Sequence, residues 1–102
     1  MQMIWSKGFS ETQIYKNANI DRRLFSKIRS NSNYHPQKQT ILSLLIALNV
    51  ELSEAEDLLS KAGFAFSPIN PIDVIYKFCI ENKIYKMDVV EELIFEIEKR
   101  SS

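Results

Sequence analysis

SETQIYKNANIDRRLFSKIR, residues 10–29 of the 102-residue chain, predicts two short helices separated by a tight turn. Ser10 is a suitable N-cap for a first helix that runs to Asn17, and Asp21 is a suitable N-cap for the second. Asn19 lies between them and suits a turn, because asparagine tolerates the left-handed backbone region better than most residues do. We therefore expect a helix, a turn and a helix at this point of the chain.

The second of these helices has two sides of different character. Phe25 and Ile28 are spaced to share one side with Ile20. The other side carries mostly polar and basic side chains: Arg22, Arg23, Ser26, Lys27 and Arg29. A buried stripe behind an outward row of cations is what a helix needs to lie in the major groove of DNA. The alternative is an ordinary surface helix with solvated arginines.

The composition favours an all-α fold. The chain is long enough for one domain, which would bury about two-thirds of its unfolded surface. Glycine (2) and proline (3) are scarce, and long alternating β-branched runs are absent. We expect a compact helical bundle in which residues 1–102 form a single domain. Its helix-turn-helix core would span residues 10–62, and two C-terminal helices would extend it over residues 70–100.

The remaining helices are predicted from their start signals and apolar spacing. Pro36 is expected to begin a helix that continues into ILSLLIALNV, residues 41–50, and a helix apolar on most sides belongs in the middle of the bundle. The free amides at its N-terminus could receive a phosphate, helped by Lys38. The later boundaries are a capping box at Ser53 and Glu56, a stop at Gly63, a start at Pro71 and a cap at Asp88.

The N-terminal residues are read from a few signals. Ile4 and Trp5 are expected to end a further helix that stops at Gly8, with Trp5 in the core. No signal-peptide pattern is visible there, and no apolar run approaches the ~20 residues of a membrane span. These observations predict a cytoplasmic protein with no membrane partner.

Several chemistries find no support in the residue types present. Cys79 is the one cysteine and His35 the one histidine, so neither a disulfide nor a zinc site is expected, and no nucleophile–base pair suggests itself. No glycine-rich loop could cradle a nucleotide. The acids near the C-terminus are expected to form a solvated helix face: Glu91, Glu92, Glu96 and Glu98. We therefore expect a non-enzyme without a cofactor.

Charge is unevenly distributed along a chain whose net charge is zero. Residues 1–40 carry seven lysines and arginines against two acids, for a net +5. Residues 41–102 carry six against eleven, for a net −5. Such a dipolar chain suits a partner that is polyanionic on one side only. A modest basic patch implies weak, salt-sensitive binding per monomer.

Three short patterns together resemble a known family. They are Ala18-Asn19-Ile20-Asp21 at the turn, Phe25-Ser26-Lys27-Ile28 in the second helix, and Ala47-Leu48-Asn49-Val50 at the end of the apolar helix. Residues 10–59 are in this way similar to the lambda-repressor-like, or XRE-type, helix-turn-helix domain. The resemblance implies a bacterial or phage transcriptional regulator or antitoxin-like repressor that binds double-stranded DNA. It places Arg22, Arg23, Ser26 and Lys27 at base edges, and Ser30 and Asn31 on phosphate.

Two positions depart from the family and keep other functions open. Glu11 stands where the family often has a glutamine that contacts phosphate, and Tyr15 stands where it has a small alanine. The alternative function is therefore a protein-interaction module that kept the fold and lost DNA binding. A third is RNA binding through Tyr34 and the basic loop. DNA binding would favour a homodimer through the C-terminal helices, where Phe95 lies off the main apolar stripe.

Overall fold

Six helices make up the fold in the computed structural model, which describes residues 8–31 and 33–101. They are α1 (Glu11–Asn17), α2 (Arg22–Ser30), α3 (Lys38–Ala47), α4 (Leu52–Lys61), α5 (Pro71–Glu81) and α6 (Met87–Ser101). The described residues contain no strand, so the predicted all-α bundle is confirmed. Its radius of gyration, 13.2 Å, is that of a compact domain of this length. The prediction for Ile4 and Trp5 lies outside the described residues.

The helix α3 occupies the centre of the bundle, as its apolar sequence predicts. Every residue from Ile41 to Leu48 is buried, including the hydroxyl-bearing Ser43. The other helices surround it: α1 packs against it most extensively, and α4, α5 and α6 also contact it. α2 packs chiefly on α1 and thus lies at the edge of the bundle. This arrangement holds α2 firmly on one side while its other side faces solvent.

The first two helices begin where the sequence predicts, and α2 ends at Ser30, one residue beyond the predicted end at Arg29. Ser10 caps α1, and it forms a capping box with Gln13 through bonds of 2.9 and 3.2 Å. Asp21 caps α2 by accepting the backbone N–H of Arg23 at 2.6 Å. Asn19 adopts a φ of 57° in the turn between them. The local signals therefore specify this turn correctly.

Three predicted helix starts are wrong by one or two residues. α3 begins at Lys38 rather than at Pro36, because Gln37 has an extended backbone and is the N-cap, so the buried Pro36 lies before the helix. α4 is capped at Glu51 rather than at Ser53, because the Glu54 carboxylate accepts the N–H of Glu51 at 3.4 Å.

The third start concerns α6, which begins at Met87, one residue before the predicted cap Asp88. Met87 is buried, so packing against the core extends the helix by that residue. Asp88 then lies in the first turn, where its negative charge interacts favourably with the positive end of the helix dipole. The predicted stop of α4 at Gly63 and start of α5 at Pro71 agree with the structure.

Two polar contacts inside the bundle tie α3 to α5. Asp73 is 3% exposed, and its carboxylate accepts from the ammonium group of Lys38 and, at 2.7 Å, from the backbone N–H of Ser67. Further along, the Ser43 and Tyr76 hydroxyls are 3.0 Å apart. Burial raises the pKa of the Tyr76 phenol, and the hydrogen bond to Ser43 opposes this effect. These contacts join α3, in the first half of the chain, to α5 in the second half.

The Lys38–Asp73 pair is expected to stabilise the fold strongly, and its two partners differ in burial: Asp73 is buried and Lys38 is partly exposed. Lys38→Met should lower the free energy of unfolding by about 3 kcal/mol, because it strands a buried carboxylate. Adding Asp73→Asn to that variant should restore about half of the loss, since no uncompensated charge then remains. Urea unfolding of the two single variants and the double variant measures this coupling. Strictly additive losses would contradict it.

Candidate nucleic-acid interface

The inner side of α2 is anchored by two fully buried side chains. Phe25 and Ile28 are 2% and 1% exposed. Tyr15 of α1 contacts Phe25 with ring centroids 5.8 Å apart and planes at 48°, so the large side chain at position 15 fills the α1–α2 contact. Together with the cap at Asp21, this packing fixes the orientation of α2 about its axis.

The outer side of α2 carries the predicted base-reading residues. Arg22, Arg23, Ser26 and Lys27 are all exposed. At 100° per residue, Arg23 and Lys27 form a row opposite the buried pair, and Arg22 and Ser26 form the neighbouring row on the side of Arg29. Within residues 8–31 and 33–101, no acid forms an ion pair with these three cations. The structure therefore brings four of the predicted site residues together on one accessible helix face.

Arg29 is exposed like the others but has a partner. Its Nε lies 2.7 Å from Oε2 of Glu11, the first residue of α1. Arg29 follows Phe25 by one helical turn and so lies at the border of the buried side, next to α1. Its charge is therefore partly neutralised by the carboxylate at the position where the resemblance expects a phosphate-contacting glutamine.

The remaining predicted phosphate contacts are engaged within the protein. The hydroxyl of Ser30 donates to the carbonyl of Ser26 at 2.6 Å, and Oδ1 of Asn31 accepts from the N–H of Asn33 at 3.0 Å. Lys38 pairs with the buried Asp73 and is only partly exposed. Fewer cations are therefore available to a polyanion than the net charge of +5 over residues 1–40 suggests.

Residues of the loop after α2 differ in accessibility. Tyr34 is half-buried and packs against the core, so only part of its ring could stack on a base. His35 is exposed. Over the described part of this loop, the histidine rather than the tyrosine is the side chain open to a ligand.

Several contacts at this site carry little or no signal in the sequence. The amide of Asn19 donates to Glu91 of α6 at 2.9 Å across 72 residues, and no local pattern predicts that pairing. The Glu11–Arg29 pair is equally non-local. Asp73 did carry a signal, because it shares the apolar side of α5 with Tyr76 and Ile80. A carboxylate at such a position requires a buried partner.

Other kinds of site are not formed by the described residues. Cys79 is buried, and burial raises the pKa of its thiol, so the reactive thiolate is scarce near neutral pH. No group of three or more histidine, cysteine, aspartate or glutamate side chains in the described ranges could hold a metal ion. No helix in this part of the chain has both the length and the hydropathy of a membrane span.

Comparison of the chain with protein-family models, curated proteins and solved structures found no match in any of the three. The resemblance to the lambda-repressor-like family therefore stays a prediction that depends on the residues quoted above.

The turn at Asn19 is expected to stabilise the site through its backbone more than through its side chain. Asn19→Ala should lower the free energy of unfolding by roughly 1.5 kcal/mol, because alanine is strained at positive φ and the bond to Glu91 is lost. Asn19→Gly loses the same bond without the strain and should be the less damaging change. Thermal unfolding distinguishes the two. A glycine variant as unstable as the alanine variant would contradict the prediction.

Proposed function

We propose that the chain is a helix-turn-helix DNA-binding protein that reads the major groove with α2, as a transcriptional regulator or antitoxin-like repressor does. The observation that carries the proposal is the exposed row of Arg22, Arg23, Ser26 and Lys27 over the buried Phe25 and Ile28. α2 lies at the edge of the bundle, where a duplex could approach it. A rigid helix with this arrangement suits a groove wide enough to admit a helix.

The chemistry of the four side chains assigns them roles. An arginine bonds both O6 and N7 of guanine, and one such contact contributes about 1–3 kcal/mol of discrimination. Arg22 and Arg23 are the candidates, and the Ser26 hydroxyl can donate to or accept from a neighbouring base. Lys27 can contact a phosphate. With about three available cations, binding should weaken as salt rises, with a slope near −3 in log K against log salt.

Removing two of these cations is expected to lower both the affinity for DNA and the preference for one DNA sequence. A duplex should first be selected from random sequence at low salt and its affinity measured by fluorescence anisotropy. Arg22→Ala with Arg23→Ala should then lower affinity for that duplex roughly tenfold or more and reduce the salt slope by about 2.

The matched control for that variant removes two cations elsewhere. Lys61→Ala with Lys86→Ala makes the same change in net charge on α4 and just before α6, and both lysines are exposed. This variant should keep most of its affinity and all of its sequence preference. Equal losses in the two double variants, or no preference of the parent for the selected duplex, would reject groove reading by α2.

Glu11 is expected to limit DNA binding by holding Arg29. Glu11→Gln should raise affinity a few-fold and steepen the salt slope by about 1, because the guanidinium group becomes available to phosphate. The control Glu56→Gln removes an exposed acid on α4 and should change little. In an Arg29→Ala background the gain from Glu11→Gln should vanish. A gain of the same size in that background would show that Arg29 plays no part in it.

A protein-interaction module is the second candidate function. Its support is that Arg29 and Lys38 are paired with acids, while Glu91, Glu92, Glu96 and Glu98 are all exposed along α6. A basic protein partner would contact this acidic side, and its binding would not respond to Arg22→Ala with Arg23→Ala. The same double variant therefore separates the two functions.

A further inference from the structure

A mostly apolar cavity of about 440 Å³ lies between the start of α5 and the end of α6. The residues that line it are Asn70, Pro71, Ile72, Ile75, Ile94, Ile97 and Glu98. Asn70 caps α5, because its side chain accepts from the backbone N–H groups of Ile72 and Asp73. Glu98 is therefore the polar side chain of the lining that can accept a hydrogen bond from an occupant. The cavity suits an occupant that is large, apolar and carries a hydrogen-bond donor.

The cavity lies on the side of α6 that faces the α1–α2 turn. Glu91, Ile94 and Glu98 follow one another by three and four residues, so they form one stripe along α6. At one end of the stripe, Glu91 accepts a hydrogen bond from Asn19 in that turn. Further along, Ile94 and Glu98 line the cavity. The distance along α6 from Glu91 to Glu98 is about 10 Å.

The start of α1 lies at the same end of the bundle as this cavity. The end of α1 lies at the opposite end, where Lys16 shares a cavity with Tyr85, and Tyr85 donates to the carbonyl of Val50 just beyond α3. α3 begins beside the start of α5, where Lys38 holds Asp73. α1 packs on α3 and its seven residues span about 10 Å. Followed backwards from its end, α1 therefore leads towards the cavity.

The chain immediately before α1 stays on the protein surface. Phe9 is half-buried and packs against the core. Gly8 has a φ of 84°, so the chain turns where the described part begins. Trp5 is three residues before Gly8 and is thus held within about 10 Å of it. The cavity is open to the segment that precedes α1.

The sequence of that segment matches the chemistry of the cavity. Residues 1–7 are MQMIWSK, in which Met3, Ile4 and Trp5 are consecutive and apolar. A tryptophan side chain combines a large apolar body with one N–H donor. Lys7 adds a positive charge, which suits the carboxylate of Glu98 at the rim.

We propose that Ile4 and Trp5 occupy this cavity and that the indole N–H of Trp5 donates to the carboxylate of Glu98. The segment then contacts both α5 and α6 and closes this end of the bundle. Such a contact would attach the residues before α1 directly to the last two helices of the chain. It does not involve α2, so it is independent of the proposed DNA binding.

The fluorescence of Trp5 tests the proposal directly, because Trp5 is the only tryptophan in the sequence. Compared with the synthetic peptide MQMIWSK, the purified chain should emit at shorter wavelength, and acrylamide should quench it several-fold less. Both effects follow from burial of the indole away from water. Emission and quenching equal to those of the peptide would overturn the proposal. So would a signal that changes on dilution, because the segment would then occupy the cavity of a second copy.

A matched pair of variants on α5 tests the position of the indole. Ile72 lines the cavity, whereas Val74 lies about 200° around the helix from it and is 46% exposed. Ile72→Glu should raise the quenching of Trp5 several-fold, because a carboxylate makes the cavity unfavourable for an apolar side chain. Val74→Glu should leave the quenching unchanged. Circular dichroism checks that both variants keep their helix content. Equal effects of the two variants, or no effect of Ile72→Glu, would overturn the proposal.

A nitroxide label locates the indole without changing the apolar lining of the cavity. Glu98→Cys carries the label at the rim, and Glu92→Cys carries it on another side of α6; both glutamates are exposed. Cys79 is buried and should react slowly. A nitroxide quenches tryptophan only at short range, so the label at position 98 should quench Trp5 strongly and the label at position 92 weakly. Equal quenching by the two labels would overturn the proposal.

Discussion

The fold depends on the complete burial of α3. A helix that is apolar on all sides must be covered on all sides, because its apolar surface gains free energy only where it leaves water. In this protein α1, α4, α5 and α6 provide that cover, and their own apolar stripes are satisfied in the same contacts. α2 contributes least to covering α3, because it packs chiefly on α1. Only Phe25 and Ile28 of α2 are buried, so most of the surface of this helix is accessible.

Ion pairs then determine how many cations of the basic N-terminal part remain without an acidic partner. Two of the predicted cations are held by acids: Arg29 by Glu11 at the surface, and Lys38 by Asp73 in the interior. These two pairs differ in kind. The surface pair is screened by solvent and contributes little to stability, whereas the interior carboxylate would be costly without its lysine. Pairing of the second kind therefore maintains the fold, whereas pairing of the first kind affects mainly the charge of the surface.

The sequence predicts the local features well because their causes are local. Ser10, Asp21 and Asn19 act on backbone within three residues, so their roles can be read from neighbouring letters. The predicted start of α4 is wrong because the reciprocal cap of Glu51 and Glu54 forms in place of the one predicted from Ser53 and Glu56. The predicted start of α6 is wrong because burial of Met87 outweighs the capping signal of Asp88.

The candidate site was predictable as a helix face but not as a set of free charges. The spacing of Phe25 and Ile28 locates the outward row on α2, and the structure places that row in solvent. Which cations remain unpaired depends on contacts such as Glu11 with Arg29 and Lys38 with Asp73, between residues distant in sequence. Those pairings follow from the packing of whole helices, so no window of the sequence contains them.

The central position of α3 also has a consequence for the order of events during synthesis. When only the residues up to the end of α4 have left the ribosome, α3 has emerged without α5 and α6, and the side that they cover is open to water. Asp73, the partner of Lys38, has not yet emerged. The N-terminal half must therefore wait for the C-terminal half before it becomes rigid. During translation, a nascent chain of this protein offers chaperones an apolar helix until the last two helices leave the exit tunnel.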